Sequence, residues 1–283
     1  QTGSQAFGAG SDATDRTGAL NLFESASIGD LLGTGTLDIV KYELSLSQAA
    51  NLLLVGQNFP YNHLIGAFDG TTGAPLPAYP TVTDDYQFLS ANNIAKVDPT
   101  LPTNQIIAGT GLGLLHAYDG ATGHDVSGFP KQTGGWLAAP AALSSDGRLA
   151  DVTREGYLFQ WQTQAPACQA QWPSFRHDQQ DSGNYDHDGT PPNAPSNLAL
   201  TALGGERYRL TFTAPGDDGA CGTPAAYMTF VNGKKTNLGL GSPVAGGSTF
   251  SAEVTLAAGA RSVAVQAIDD AQNLGPRAAV KVR

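Results

Sequence analysis

The sequence predicts an all-β protein in two parts: a partial β-propeller of about three blades, followed by a small β-sandwich. Three observations predict it. A phrase recurs: Phe68-Asp69-Gly70-Thr71-Thr72-Gly73, with Tyr79-Pro80 behind it, returns fifty residues on as Tyr118-Asp119-Gly120-Ala121-Thr122-Gly123 with Phe129-Pro130. Repeats of roughly 40–50 residues are the period of propeller blades. Beyond residue 195, apolar and polar residues alternate with period two in several short runs, as in strands with one wet face. The composition agrees: 35 Gly and 17 Pro against only 14% charged residues suit many short strands joined by tight turns.

In chain order, residues 1–26 are rich in Gly, Ser, Thr and Asp and read as a loop or the remnant of a preceding blade. Gln1 stands where no initiator Met does, so the chain is expected to be a processed piece of a longer precursor. Residues 27–187 carry the blades. The first begins with Ser27-Ile28-Gly29-Asp30-Leu31-Leu32-Gly33-Thr34-Gly35-Thr36-Leu37-Asp38-Ile39-Val40. Apolar runs at 52–56 and 64–68 complete it. The second has runs at 94–97, 105–109 and 112–118, and the third at 141–144, 149–153 and 156–161. In each repeated phrase Asp is placed to accept backbone hydrogen bonds, Gly to take the positive φ, and Thr to cap back onto the chain. The aromatics before and after the turn are expected to pack between blades. A third, degraded copy keeps the aromatic frame alone, Trp161 and then Trp172-Pro173.

The first-blade string resembles the FG-GAP (integrin-type) motif, an acid-rich turn that in the family holds calcium. Asp30 and Asp38 keep its first and last acids, while Leu32 and Thr34 stand where calcium ligands would, so the turn reads as metal-free. The string Trp172-Pro173-Ser174-Phe175-Arg176-His177-Asp178 through Gly183 resembles the edge segment of quinoprotein-type (PQQ-like) propellers, which helps to close the ring. Over residues 27–185 the likeness is to the mixed FG-GAP/PQQ-like (VCBS-type) repeats of secreted bacterial proteins. His177 beside Asp178, and His187 between Asp186 and Asp188, match no metalloenzyme spacing and read as solvated loop. His63, His116 and His124 sit in or beside repeat strands and read as packing or solvated residues.

Residues 188–194 are a Pro-rich linker by composition. Residues 195–283 then alternate: Tyr208, Leu210 and Phe212 against Arg209, Thr211 and Thr213; Phe250, Ala252 and Val254 against Ser251, Glu253 and Thr255; Val263, Val265 and Ala267 against Ala264 and Gln266. The strings at 195–198, 210–219 and 265–273 resemble a fibronectin type III domain, with Phe212 where the family has Trp. That resemblance implies that the loop of Asp217 and Asp218 and the loop of Asp269 and Asp270 emerge at one end. Four carboxylates there repel unless a cation or backbone donors intervene, and calcium answers that chemistry. The competing reading is that Asp is simply a good turn residue, with solvent screening the charge.

Cys168 and Cys221 lie in Gly/Ala/Pro-rich loops with no second Cys or His at zinc spacing. Three readings stand: a disulfide closing a loop of about 50 residues, worth about 3–4 kcal/mol by loop-closure entropy, two unpaired thiols, or thiols whose partners lie elsewhere in the precursor. A net charge of −10 disfavours nucleic acid and anionic membranes as partners, and no apolar run approaches the ~18–20 residues of a membrane span.

No reaction is legible. The chain shows no nucleophile-elbow or His-Glu-x-x-His motif, and by resemblance it lacks the adjacent cysteines and blade count of a quinoprotein dehydrogenase. The expected function is a non-catalytic, secreted or cell-surface binding, adhesion or assembly module without cofactor (calcium aside). Three blades cannot close a ring, since propellers have at least four. The partners implied are therefore the remaining blades, from the precursor or another chain, or self-assembly, with a protein or polysaccharide ligand. The alternatives are the accessory C-terminal region of a secreted peptidase and a structural subunit of a secreted fibre.

Overall fold

In a computed structural model the described residues are 25–44, 54, 63–87, 91–144 and 146–282. The expectations for residues 1–24 and for the run at 52–56 lie outside them, apart from residue 54. The named elements are eighteen β-strands and one 3-10 turn, Ala167–Gln169. The chain divides into two compact units, Gln1–His187 and Asp188–Arg283.

The first unit is a partial propeller of three separate antiparallel sheets. Blade 1 is the meander β1 (Ser27–Gly29), β2 (Asp38–Leu44), β3 (His63–Asp69) and β4 (Thr81–Val82); blade 2 repeats it as β5 (Asn93–Ala95), β6 (Gln105–Gly109), β7 (Leu114–Asp119) and β8 (Lys131–Gln132). Blade 3 has three strands, β9 (Ala142–Leu143), β10 (Arg148–Val152) and β11 (Leu158–Gln162), in the order β11-β10-β9. Strands β6 and β7 are apolar almost throughout because both faces are covered, so they show no alternation. Two clusters form the core. One centres on Ile65, Ile94, Ile106 and Trp172, the other on Ile107, Leu115, Leu137 and Leu149.

The repeated phrase forms one turn twice. Asp69 Oδ1 accepts from the Thr71 and Thr72 amides at 3.0 and 2.6 Å and from Thr72 Oγ1 at 2.8 Å. Asp119 Oδ2 accepts from the Thr122 amide and hydroxyl at 3.1 and 2.8 Å. The closing glycines, Gly73 and Gly123, have φ of 72° and 67°, the left-handed region that glycine enters without cost. The Asp30 turn follows the same logic, its carboxylate accepting from the Thr34 and Gly35 amides at 2.9 and 2.8 Å.

The third aromatic-Pro copy packs between blades as expected of the repeat, but by a different route. Trp172-Pro173 has the spacing of Tyr79-Pro80 and Phe129-Pro130 but adds no strand to β11. It runs instead across the first strands of all three blades. Gln171 Oε1 accepts from the Asp30 amide at 3.0 Å, Trp172 pairs with Ile94, and the Pro173 carbonyl accepts from Leu143 at 2.9 Å. The Trp172 side chain is buried in the blade 1–2 core. A buried indole held by a neighbouring strand gains more than an exposed one at the edge of blade 3.

The second unit is a sandwich of the fibronectin type III kind. One sheet has the order β12 (Ser196–Gly204), β13 (Arg207–Thr213), β16 (Thr249–Thr255); the other runs β15 (Lys234–Lys235), β14 (Ala226–Val231), β17 (Ser262–Ile268), β18 (Ala278–Lys281). Its core joins Leu210, Phe212, Phe250, Val254, Val263 and Val265, with Phe212, Phe250 and Tyr227 in mutual ring contact at 4.8–5.1 Å. Gln266 departs from the alternation. It is buried, and its amide is satisfied by donating to the Gly275 carbonyl at 2.7 Å and accepting from Arg277 Nε at 3.1 Å. Residues 191–193 are not a free spacer. The Pro191 carbonyl accepts from Gly219 N–H and the Asn193 amide donates to the Gly219 carbonyl, which lays the segment along the sandwich.

Candidate functional site

The loop after β13 folds back on itself: Gly216 N–H donates to the Gly219 carbonyl, Cys221 N–H to that of Asp218, and Asp217 N–H to that of Cys221. A Cβ at Gly216 would lie 2.0 Å from the Cys221 carbonyl oxygen, so only glycine permits so close a return. The turn presents Asp217 and Asp218 half-buried, each with its Oδ1 shielded from solvent and without a hydrogen-bond partner. Neither Cys168 nor Cys221 is a free thiol; each is disulfide-bonded.

The opposing loop, after β17, starts at Asp269, which is fully buried. Its Oδ1 accepts from the Asn273 amide at 2.6 Å, and its Oδ2 has no partner. Asn273 Nδ2 reaches across to the Asp188 carbonyl at 3.0 Å. The four acids singled out in the sequence therefore share one end of the sandwich. Asp269 is at the bottom and Asp270 at the exposed rim, where its charge still acts on Asp217.

The structure adds a fifth. Asp188, assigned to the linker by composition, stands against Asp218 with the two carboxyls at hydrogen-bonding range. Nothing in the Asp188-Gly189-Thr190-Pro191 string distinguishes it from any polar turn, so local sequence held no signal for it. Burial, and then the carboxylates of Asp188, Asp217 and Asp269, push Asp218 up to about 7. Burial also raises Asp217, with the charges of Asp270, Asp269 and Asp188 adding to it and the Asp270 amide opposing. As they stand, no three His, Cys, Asp or Glu side chains among the described residues form a ready metal cage.

A different polar cluster occupies the first unit. His116 is not a solvated or merely packed residue. Its Nδ1 meets Asp125 Oδ2 at 2.7 Å, its Nε2 meets Asp84 Oδ1 at 2.9 Å, and its ring stacks on Tyr118 at 4.9 Å. Burial opposes protonation, but the bonds from Asp125 and Asp84 prevail and raise His116 to about 9. With both ring nitrogens held by carboxylates, it has none left to bind a metal or accept a proton. His63 contacts the Tyr42 hydroxyl at 2.7 Å and is lowered by burial. The loop after Asp178 is exposed, as expected, but Asp178 itself is not. Asp178 is buried and accepts from the Gln180 and Ser182 amides, the Ser182 hydroxyl and His187 Nδ1. Burial acts to raise it, but these bonds outweigh that and bring it down to about 2.

Blade 3 ends in an open face. Val152, Tyr157 and Leu158 are 39, 68 and 73% exposed. Register makes Leu158, opposite Val152, the counterpart of Leu115, opposite Gly109 and fully buried. Elsewhere in the first unit a groove of about 650 Å³ is lined by Val97, Thr100, Phe129, Lys131, Trp161 and Gln164, with the Lys131 ammonium 4.9 Å above the Phe129 ring.

No protein family and no curated protein matches the chain. Among solved structures, BBS1N in complex with ARL6DN aligns at 10% identity over 94% of this chain and 69% of that one, with a TM-score of 0.34. The central fibronectin-III array of RIM-binding protein aligns at 9% identity over 89% and 76%, with a TM-score of 0.28. BamB from Moraxella catarrhalis aligns at 14% identity over 76% and 67%, with a TM-score of 0.27. No helix among the described residues is long and apolar enough to cross a membrane.

Proposed function

We propose that the chain is a non-catalytic binding and assembly module of an extracellular or cell-surface protein, its fan of blades completed by further blades from a precursor or another chain. The open face of blade 3 carries this reading. Strand β7 is covered along its length, whereas no residue of β11 is buried. Within one repeated architecture, that difference fits a neighbour that the described residues do not supply. Disulfide-bonded cysteines support an oxidising compartment. His116, with both ring nitrogens held by carboxylates, is not placed to act as a general base.

Light scattering of the full chain across a concentration series tests the proposal. With no described residue covering it, the blade 3 face is expected to drive self-association, and Leu158→Lys is expected to abolish it. A mass fixed at the 29.2 kDa of one chain over the whole series would overturn the assembly reading.

A further inference from the structure

We propose that Asp188, Asp217, Asp218 and Asp269 form a binding site for a hard divalent cation of calcium's size at one end of the sandwich. Buried polar atoms in folded proteins are nearly always paired, and an unpaired carboxylate oxygen is among the costliest to bury. Here three such oxygens occur in two facing loops: Asp217 Oδ1, Asp218 Oδ1 and Asp269 Oδ2. Asp269 is the independent pointer. It is wholly buried, its first oxygen is used by Asn273, and its second has nothing to accept from.

The charges acting on Asp217 and Asp218 are carboxylates, so each acid makes its neighbour's position worse. In the blade turns, backbone amides fill this role. Here the amides of the Asp217 loop are spent on carbonyls, Gly216 on Gly219 and Asp217 and Asp218 on Cys221, and the Asn273 and Asp270 amides reach Asp269 and Asp217 without satisfying the oxygens named above. What remains to satisfy the oxygens is a proton or a cation.

The donor set selects the cation. Every available ligand is oxygen, and Cys221 is disulfide-bonded, so nothing favours zinc or a softer metal. Calcium takes 6–8 oxygens at irregular geometry and accepts carboxylates with carbonyls and water, whereas magnesium demands a near-ideal octahedron. The carboxylates are not gathered into a finished cage, so binding draws the two loops together, with backbone carbonyls and water completing the shell. Extracellular calcium modules work at about 10⁻⁴–10⁻³ M, which suits a site closed by the ion itself.

The test uses the full chain, with calcium chloride as the probe. At pH 8, about 5 mM calcium is expected to raise the unfolding midpoint of the sandwich by about 5 °C over a chelator-treated sample, with saturable heat in a calorimetric titration. Asp188→Asn and Asp218→Asn are each expected to weaken binding tenfold or more. Asp188 lies at the edge of the unit, so its variant keeps the test decisive if Asp269→Asn fails to fold. The proposal is overturned by an unchanged midpoint and no heat, or by an equal rise with sodium chloride at matched ionic strength. It is overturned too by a calcium response that survives both variants.

Discussion

The same residue, aspartate in a tight turn, meets two fates in the two units. In the blades, Asp30, Asp69, Asp119 and Asp178 each close a turn by accepting two or more hydrogen bonds from the residues just ahead. Hydrogen bonds from Thr72 hold Asp69 below the usual carboxylate range. In the sandwich, Asp217, Asp218 and Asp269 keep orphaned oxygens, and burial with mutual repulsion raises the first two. A blade turn is complete in itself; the sandwich end is complete only with something added. Glu43 and Asp151 show that burial alone does not make a site. Each is pushed to about 7, with burial the main cause, but each sits within a blade strand without a partner acid, where a proton suffices.

The largest effect expected within this contrast is at Asp119. It is buried and also accepts from the Thr103 hydroxyl, so Asp119→Ala strands several donors and is expected to cost about 2–3 kcal/mol in urea unfolding. Asp69→Ala, the same position in an open copy of the turn, is expected to shift the midpoint only slightly. Equal losses would show that solvent access does not separate the two copies.

Next comes His116. Its folded value of about 9 lies above the ordinary 6.5, so its stabilisation is full below pH 6.5 and is lost as pH rises through about 9. The stability gap between wild type and His116→Gln is therefore expected to narrow by about 2 kcal/mol between pH 6 and pH 10. A constant gap would mean that the Asp84 and Asp125 contacts do not depend on charge.

The smallest effect has the opposite sign. Asp218→Asn, measured at pH 8 in chelator, is expected to stabilise the sandwich by about 1 kcal/mol, because it removes a repelled charge that solvent partly screens. Destabilisation would place Asp218 among the satisfied acids and erase the distinction between the units.

The legible parts of this fold are those in which neighbours in sequence are neighbours in space. The Asp-Gly-x-Thr-Gly turns, the strands at 64–68 and 105–109, and the alternation around Leu210–Phe212 follow from local hydrogen bonding and period-two burial. Where Trp172 packs was not legible, because spacing copies a motif without copying its partner, which for Trp172 is Ile94, some eighty residues back. Gln266 broke its alternation through Arg277 and Gly275, contacts that no strand pattern encodes. At the sandwich end, the two acid pairs were visible as loop residues. Asp188 was not, because long-range contacts, residues 191–193 with Gly219 and Asn273 with the Asp188 carbonyl, bring it there. His116 looked like one more repeat residue because Asp84 and Asp125 lie 32 and 9 positions away.

The stretch from Gln171 to Pro173 has a consequence for how the protein is made. Asp30, Ile94 and Leu143 emerge from the ribosome before it does, and each waits for it to fill a bond. Blades 1 and 2 already share bonds such as Asn104 N–H to the Leu31 carbonyl and the Thr81 hydroxyl to the Gly123 carbonyl, and the late segment adds a tie that reaches all three sheets. A nascent chain stalled before Gln171 would carry every named strand of the fan but lack the one segment that crosses all three sheets.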